Sequence, residues 1–145
     1  FTGDIIYTGP IDELLISRYG RLPYRSLNFK YESLDEEEFQ PCGTVNYTIS
    51  EDYTRITEFK HLTGQKAPNT TIMREYSCSY DDPKKQIPYY AILKDENLEA
   101  YDKYKKLLKP MGNFYILGRL AEYKYYNMDA IIAAALELAD QIIEG

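Results

Sequence analysis

Three arginines stand in extended segments: Arg25 in PYRSL, Arg55 in YTRI and Arg74 in MREYS. A guanidinium gives phosphate two parallel charge-assisted hydrogen bonds, so three on one sheet would clamp a diphosphate. Three unrelated surface ion pairs, each worth little, account for the same residues without a ligand. A second group lies in GRLAEYKYYNMD, residues 118–129, which sets three tyrosines, two cations and two acids on one short junction. Asn127 falls where a helix N-cap is needed, its side-chain oxygen able to accept an orphan amide, with Asp129 favourable against the helix dipole. The junction also follows a buried-strand pattern, ILGR, and opens a helix whose first N–H groups suit an anion or a polar ring edge. Arg119 stands where that strand gives way to a loop, a usual place for ligands in α/β sheets. In PYYAILKDEN, Pro88 fixes the approach to Tyr89 and Tyr90, and neighbours in an extended chain face opposite ways, so at most one of the two enters a given pocket.

These groups belong to a chain of 145 residues, 44% hydrophobic and 28% charged, enough for a compact domain with a core. The formal net charge of −6 argues against nucleic acid as a partner, since backbone affinity needs many Lys and Arg contacts. Cys42 and Cys78 are far apart, match no paired metal-ligand spacing and are too few for a disulfide framework, which fits a reduced, cytoplasmic setting. No apolar run approaches the roughly 20 residues that cross a bilayer, and FTGDIIYTGP lacks the layout of a signal peptide. With one histidine, His61, and no Gly-rich phosphate loop, histidine-centred catalytic sets and histidine zinc sites have almost no material. His61 reads as a surface or satisfied side chain, and DEEE as a solvated loop. The composition holds 16 tyrosines and no tryptophan. Tyrosine favours half-buried surfaces beside polar ligands, and it is also a good strand former.

The elements that must position these residues change character along the chain. DIIYTG reads as a buried strand closed by Gly9-Pro10, and IDELLISRYG as a brief helix with Asp12 and Glu13 in its first turn and Gly20 closing it. From Tyr24, Arg25, Leu27, Phe29 and Tyr31 alternate onto one face of a half-buried strand. TVNYTI, TRITEFKHL and TTIMREYS follow as further β-like runs, so residues 24 to about 78 form an antiparallel sheet. ENLEAYDKYKKLLK is then a helix ended at Pro110-Met111-Gly112, and NFYILG a buried strand. MDAIIAAALELADQII is a strong helix with Met128, Ile131, Ile132, Ala135, Leu138, Ala139 and Ile142 on its apolar side. The predicted fold class is mixed α+β: a partial α/β unit over 1–20 and 88–145, with an antiparallel sheet domain over 21–87 inserted in it.

The order of IIYTGPID, LPYRSLNF, VNYT, YTRI, REY, PYY and GRLAEYKYYNMD resembles the C-terminal part of a bacterial UDP-galactopyranose mutase, from Ile5 to about Ala135. The last motif is long and specific, and the shorter ones gain weight from their order. The resemblance implies a flavin-binding α/β domain, a helical domain and an antiparallel sheet domain interleaved along a much longer chain. It implies interconversion of UDP-galactopyranose and UDP-galactofuranose, a precursor of cell-surface polysaccharide. It implies that reduced FAD attacks the anomeric carbon through N5 in a flavin–sugar adduct, so no protein nucleophile is needed. Carried over by motif, Arg55 would contact the UDP-galactose diphosphate, Arg25 would lie in the same cleft, and Tyr90 and Tyr125 would give hydroxyls to the phosphates. Asn46 of VNYT would be a further pocket residue. Arg119 would approach the FAD pyrophosphate, and Tyr126, Asn127 and Met128 would sit beside the flavin at the helix N-terminus. The family usually has YYDM where this chain has YYNM, so Asn127 replaces an acid.

The resemblance further implies a homodimeric, cytoplasmic parent without membrane insertion, whose N-terminal part holds most of the FAD. No GxGxxG opens this sequence and no helical domain is present in it, so the piece alone is expected to be inactive, whether cut from a full enzyme or a shortened relative. Two other readings compete with it: a noncatalytic UDP-sugar or nucleotide-binding module that kept the Tyr and Arg surface, and a purely structural piece whose tyrosines are sheet surface.

Overall fold

The computed structural model describes residues 3–144; positions 1, 2 and 145, at the ends of the predicted α/β unit, lie outside the described residues. The chain divides into two compact units, Phe1–Arg25 with Pro88–Gly145, and Ser26–Ile87.

In the first unit, strand β1 (Ile5–Tyr7) runs parallel to β7 (Phe114–Ile116), with Ile5 opposite Phe114 and Tyr7 opposite Ile116. Both apolar runs were expected to be buried, yet they are half-buried and Ile6 is 51% exposed. A local pattern reports preference, whereas burial depends on the layers stacked against the strand, and among the described residues this sheet has two strands. Helix α1 is only Ile11–Leu14, where a helix reaching Gly20 was predicted. The chain leaves it because the Ser17 N–H folds back onto the Asp12 carbonyl at 2.7 Å, with Ile16 and Ser17 at φ 52° and 49°. Asp12 is buried instead of facing a helix dipole in solvent. Its carboxylate accepts the Leu22 N–H at 3.1 Å and the Tyr24 hydroxyl at 3.4 Å.

Helix α3 (Asp95–Leu108) buries Tyr101, Tyr104 and Leu108, one helical stripe, as its spacing predicts. Tyr104 donates to the Gly20 carbonyl and accepts the Tyr19 N–H at 2.8 Å. Tyr101 stacks on Tyr123 with ring centroids 5.7 Å apart, and Tyr24 meets Tyr123 edge to face at 5.3 Å. Five of the 16 tyrosines are therefore core, and Tyr24, Tyr104 and Tyr123 among them give their hydroxyls to backbone carbonyls. Helix α4 (Met128–Glu144) carries Ile131, Ala134, Ala135, Leu138 and Ile142 half-buried along one side, and none of its residues is fully buried. Met128 and Ile132, predicted on the apolar side, are exposed with Leu136 and Ile143.

The second unit is built on an antiparallel sheet. Strand β2 (Tyr24–Leu34) begins in the first unit, where Tyr24 and Arg25 pair with Ala91 and Tyr90 of the short β6 (Tyr90–Ala91). Its remainder enters the order β3-β4-β5-β2 with β3 (Thr44–Asn46), β4 (Arg55–Glu58) and β5 (Thr70–Ser79). β3 and β5 both run antiparallel to β4, with Asn46 opposite Arg55 and Arg55 opposite Glu75. The β-like run predicted through Leu62 stops at Glu58, and Phe59–Thr63 forms the helix α2. The Glu58 carboxylate turns inward to accept the Phe39 N–H, the Gln40 N–H at 2.9 Å and the Thr70 hydroxyl at 2.6 Å. Gly64, at φ 70°, closes the helix with its N–H on the Lys60 carbonyl. His61 is satisfied as expected: its Nε2 lies 2.7 Å from the Gln40 carbonyl and 3.4 Å from both Glu38 and Glu58. The fold class is the predicted one, mixed α+β. Among the described residues no helix is long and apolar enough to cross a membrane.

Candidate functional site

In the first unit, the segment from Gly118 to Asn127 is the strand-to-helix junction. Gly118 leaves β7 at φ 101°, a conformation open to glycine, and Tyr123 takes φ 48°, unusual for an aromatic side chain. Burial between Tyr24 and Tyr101 holds Tyr123 there, with its hydroxyl donating to the Pro23 carbonyl at 2.7 Å and to that of Ile92 at 3.2 Å. Burial raises its pKa to about 12, so it is a neutral donor at physiological pH. The reversal at Tyr123 throws Lys124 and Tyr125 outward and returns Tyr126 to the interior, where it is 6% exposed.

Arg119 is set by this reversal. Its Nε and Nη2 both donate to the Tyr126 carbonyl, at 3.0 and 2.6 Å. A guanidinium has five N–H groups, so three are left without an acceptor among the described residues. The guanidinium lies 5.1 Å from the Tyr90 ring and 5.0 Å from the Tyr125 ring, which stack on each other at 5.8 Å. Cation–π attraction and the two carbonyl contacts fix the group while leaving its outer donors pointing elsewhere. Next to it a cavity of about 430 Å³ is lined by Arg25, Tyr90, Lys124 and Tyr125 over an apolar floor from Ala91 to Leu93. Tyr90 meets Tyr89 edge to face at 4.5 Å, and of the two it is Tyr90 that lines this cavity.

Asn127 is exposed, and its carbonyl accepts the first helical amide, from Ile131, at 3.1 Å. Met128 is the first residue of α4 and is 78% exposed. Tyr126 donates its hydroxyl to both oxygens of Glu122 at 2.8 Å. Burial and that carboxylate raise its pKa. Lys124 lies over the same ring, 4.6 Å from its centroid.

In the second unit, Arg55 and Asn46 face each other across the β3/β4 pair, with Arg55 Nε donating to Asn46 Oδ1 at 2.9 Å. Glu75, opposite on β5, lies 3.8 Å from Arg55 Nη1 and gives a balancing charge. Arg74 is ion-paired with Glu32 and packs against Tyr53 and Phe39, so its guanidinium is engaged within the sheet. The structure thus groups Arg25, Tyr90, Tyr125 and Arg119 in one unit and pairs Arg55 with Asn46 in the other. Sequence reasoning missed Lys124 on the cavity and Glu122 beneath the tyrosine turn. Their signal was the density of charge in EYKYY.

Taken together, these features define a mixed α+β protein whose arginine and tyrosine cluster suits an anionic ligand with a ring-shaped part. Residues 1–125 match the model of the GLF family, UDP-galactopyranose mutase. The chain is 35% identical over 143 residues to a UDP-galactopyranose mutase of Mycoplasma genitalium, covering 96% of this chain and 35% of that protein. It is 33% identical over 147 residues to a UDP-galactopyranose mutase of Mycoplasma pneumoniae, covering 99% of the chain and 37% of the relative. An Escherichia coli dTDP-fucopyranose mutase is 33% identical over 146 residues, 99% of the chain and 38% of that protein. The chain belongs to the UDP-galactopyranose mutase family. It spans little more than a third of the length of these relatives.

Proposed function

We propose that the chain is the C-terminal part of a flavin-dependent isomerase that interconverts UDP-galactopyranose and UDP-galactofuranose in the cytoplasm, as a homodimer, for cell-surface polysaccharide. The observation that carries the reading is the Arg119 guanidinium, fixed against two tyrosines at a strand-to-helix turn with three N–H groups free of acceptors among the described residues. Such a group fits a pyrophosphate, and the open first turn of α4 adds amide donors of the same sense. The residues that would hold FAD here are Arg119 and, at the start of α4, Tyr126, Asn127 and Met128. The rest of its contacts come from the part of the family fold that precedes this chain. Bound and reduced, the flavin would supply the nucleophilic electron pair for the anomeric carbon.

The chain's own residues then manage the leaving diphosphate. In the first unit Arg25 offers a cation at the cavity and Tyr90 and Tyr125 offer hydroxyls for its oxygens; in the second, Arg55, steadied by Asn46, is read by its motif as a diphosphate contact. They hold the released UDP in place so that it recombines with the sugar as a furanoside. The protein supplies positioning and electrostatics, with no side-chain nucleophile. The domain boundaries at 20 and 88 follow the same reading, with residues 21–87 as the substrate-side sheet domain. The two units by themselves do not turn over substrate.

The test is conversion of UDP-galactofuranose by the dithionite-reduced product of the full reading frame, with dTDP-fucopyranose assayed beside it because one relative bears that name. Turnover of the uridine sugar is expected, and no turnover of it overturns the proposal. Arg55→Ala is expected to lower kcat/KM by about 10- to 100-fold, the scale of a lost charge-assisted hydrogen bond. An unchanged value would remove Arg55 from the diphosphate.

A further inference from the structure

The geometry points to Glu122 and Tyr126 as positioning residues for Arg119. The inference rests on the reading of Arg119 as an FAD contact. Three links run in series. The Glu122 carboxylate accepts the Gly118 N–H at 2.9 Å, tying the exit of β7 to the turn. Both its oxygens also accept the Tyr126 hydroxyl at 2.8 Å, and the Tyr126 ring is buried. The Tyr126 carbonyl in turn receives both Arg119 donors. The position of that carbonyl sets the plane of the guanidinium, so whatever fixes Tyr126 aims the three remaining N–H groups.

Other fasteners are weaker. The two rings flanking Arg119 constrain its distance, and cation–π attraction has little directional demand within the ring plane. The carbonyl contact brings two N–H donors onto one oxygen and is directional. Lys124 also reaches the Tyr126 hydroxyl, its Nζ 3.4 Å away. Without the hydroxyl bond, the loop between the left-handed Tyr123 and the first turn of α4 keeps its ring packing but loses the tie to Gly118.

The experiment is a double-mutant cycle in the full-length protein, read as the dissociation constant for FAD by flavin fluorescence on the apoprotein, with melting temperature measured for every variant. Tyr126→Phe removes one hydroxyl and keeps the ring, and is expected to weaken FAD about three- to tenfold. Arg119→Ala is expected to weaken it more, and Tyr126→Phe in the Arg119→Ala background to add nothing, because its effect passes through the guanidinium. Glu122→Gln, which retains a carbonyl acceptor for the hydroxyl, is expected to restore most of the affinity relative to Glu122→Ala. An equal loss from Tyr126→Phe in both backgrounds overturns the inference, because the hydroxyl then acts on FAD independently of Arg119. If Arg119→Ala itself leaves FAD affinity unchanged, the reading of Arg119 fails and the inference falls with it. If Arg119→Ala weakens FAD and Tyr126→Phe does not, only the inference fails.

Discussion

At the scale of single residues, the arginine and tyrosine cluster hangs on one turn, the reversal at Tyr123. Arg25, Tyr90, Tyr125 and Arg119 stand out as arginines and tyrosines beside turns, and all four gather in one unit. The role of Glu122 depends on Tyr123 entering the left-handed region, which is stabilised by ring packing from residues about 20 and 100 positions away in sequence. No local rule reaches that far. By the resemblance Asn127 stands where an aspartate is expected, and its carbonyl starts α4. An aspartate there is as good an N-cap and adds a negative charge near the positive end of the helix dipole, worth about 0.3–1 kcal/mol. Asn127→Asp should therefore raise the melting temperature slightly and leave turnover of the full-length protein equal or higher. A large fall in kcat with an unchanged melting temperature would show that this member has tuned its site around the amide.

Among the elements, the longest and most periodic were the most legible, because many residues vote for one period. Helices α3 and α4 and strands β2 and β5 are of that kind. What periodicity could not supply was how deeply each face is covered, which left Ile6, Met128 and Ile132 more exposed than their patterns imply. The β4 to α2 change shows a second limit. TRITEFKHL carries the strand formers Thr54, Ile56, Thr57 and Phe59, but the buried Glu58 carboxylate ends the strand by taking donors from Phe39, Gln40 and Thr70. The signal that was present is Gly64, the left-handed cap after Thr63. A Cβ at Gly64 would meet nothing within 4 Å, so Gly64→Ala isolates the backbone cost at φ 70°. The expected loss is about 1 kcal/mol of unfolding free energy, measured by urea denaturation. No loss would mean that α2 does not depend on its cap.

For the whole molecule, the two units carry buried carboxylates that respond to acid in opposite directions. Burial would raise the Glu58 pKa, but hydrogen bonds from Thr70, Phe39 and Gln40, with His61 nearby, outweigh it and hold the group below the usual glutamate range. Its stabilisation is therefore complete above the unfolded-state pKa and is lost as pH falls through the depressed folded value. Asp12 is raised, chiefly by burial and further by Glu13, with the Leu22 amide and Tyr24 hydroxyl offsetting part of the shift. In the interval between its unfolded and folded pKa values the folded state binds the extra proton, so stability there rises as pH falls. On acidification below the ordinary carboxylate range, hydrogen exchange should accelerate first at the Phe39 and Gln40 amides, while the Leu22 amide keeps its protection. Asp12→Asn supplies the control. An asparagine oxygen can accept the Leu22 N–H, its amide can donate to the Tyr24 hydroxyl, and that hydroxyl still donates to the Leu120 carbonyl, 3.3 Å away. The variant should match or exceed the parent in stability at neutral pH, where the buried charge costs most, and lose the acid-side gain at Leu22. Asp12→Ala, which leaves the Leu22 amide buried without an acceptor, should instead lose about 1–3 kcal/mol at every pH. Equal acceleration at Leu22 and Gln40 in the parent chain would show that Asp12 is charged at little cost and that its burial does not govern the first unit's response.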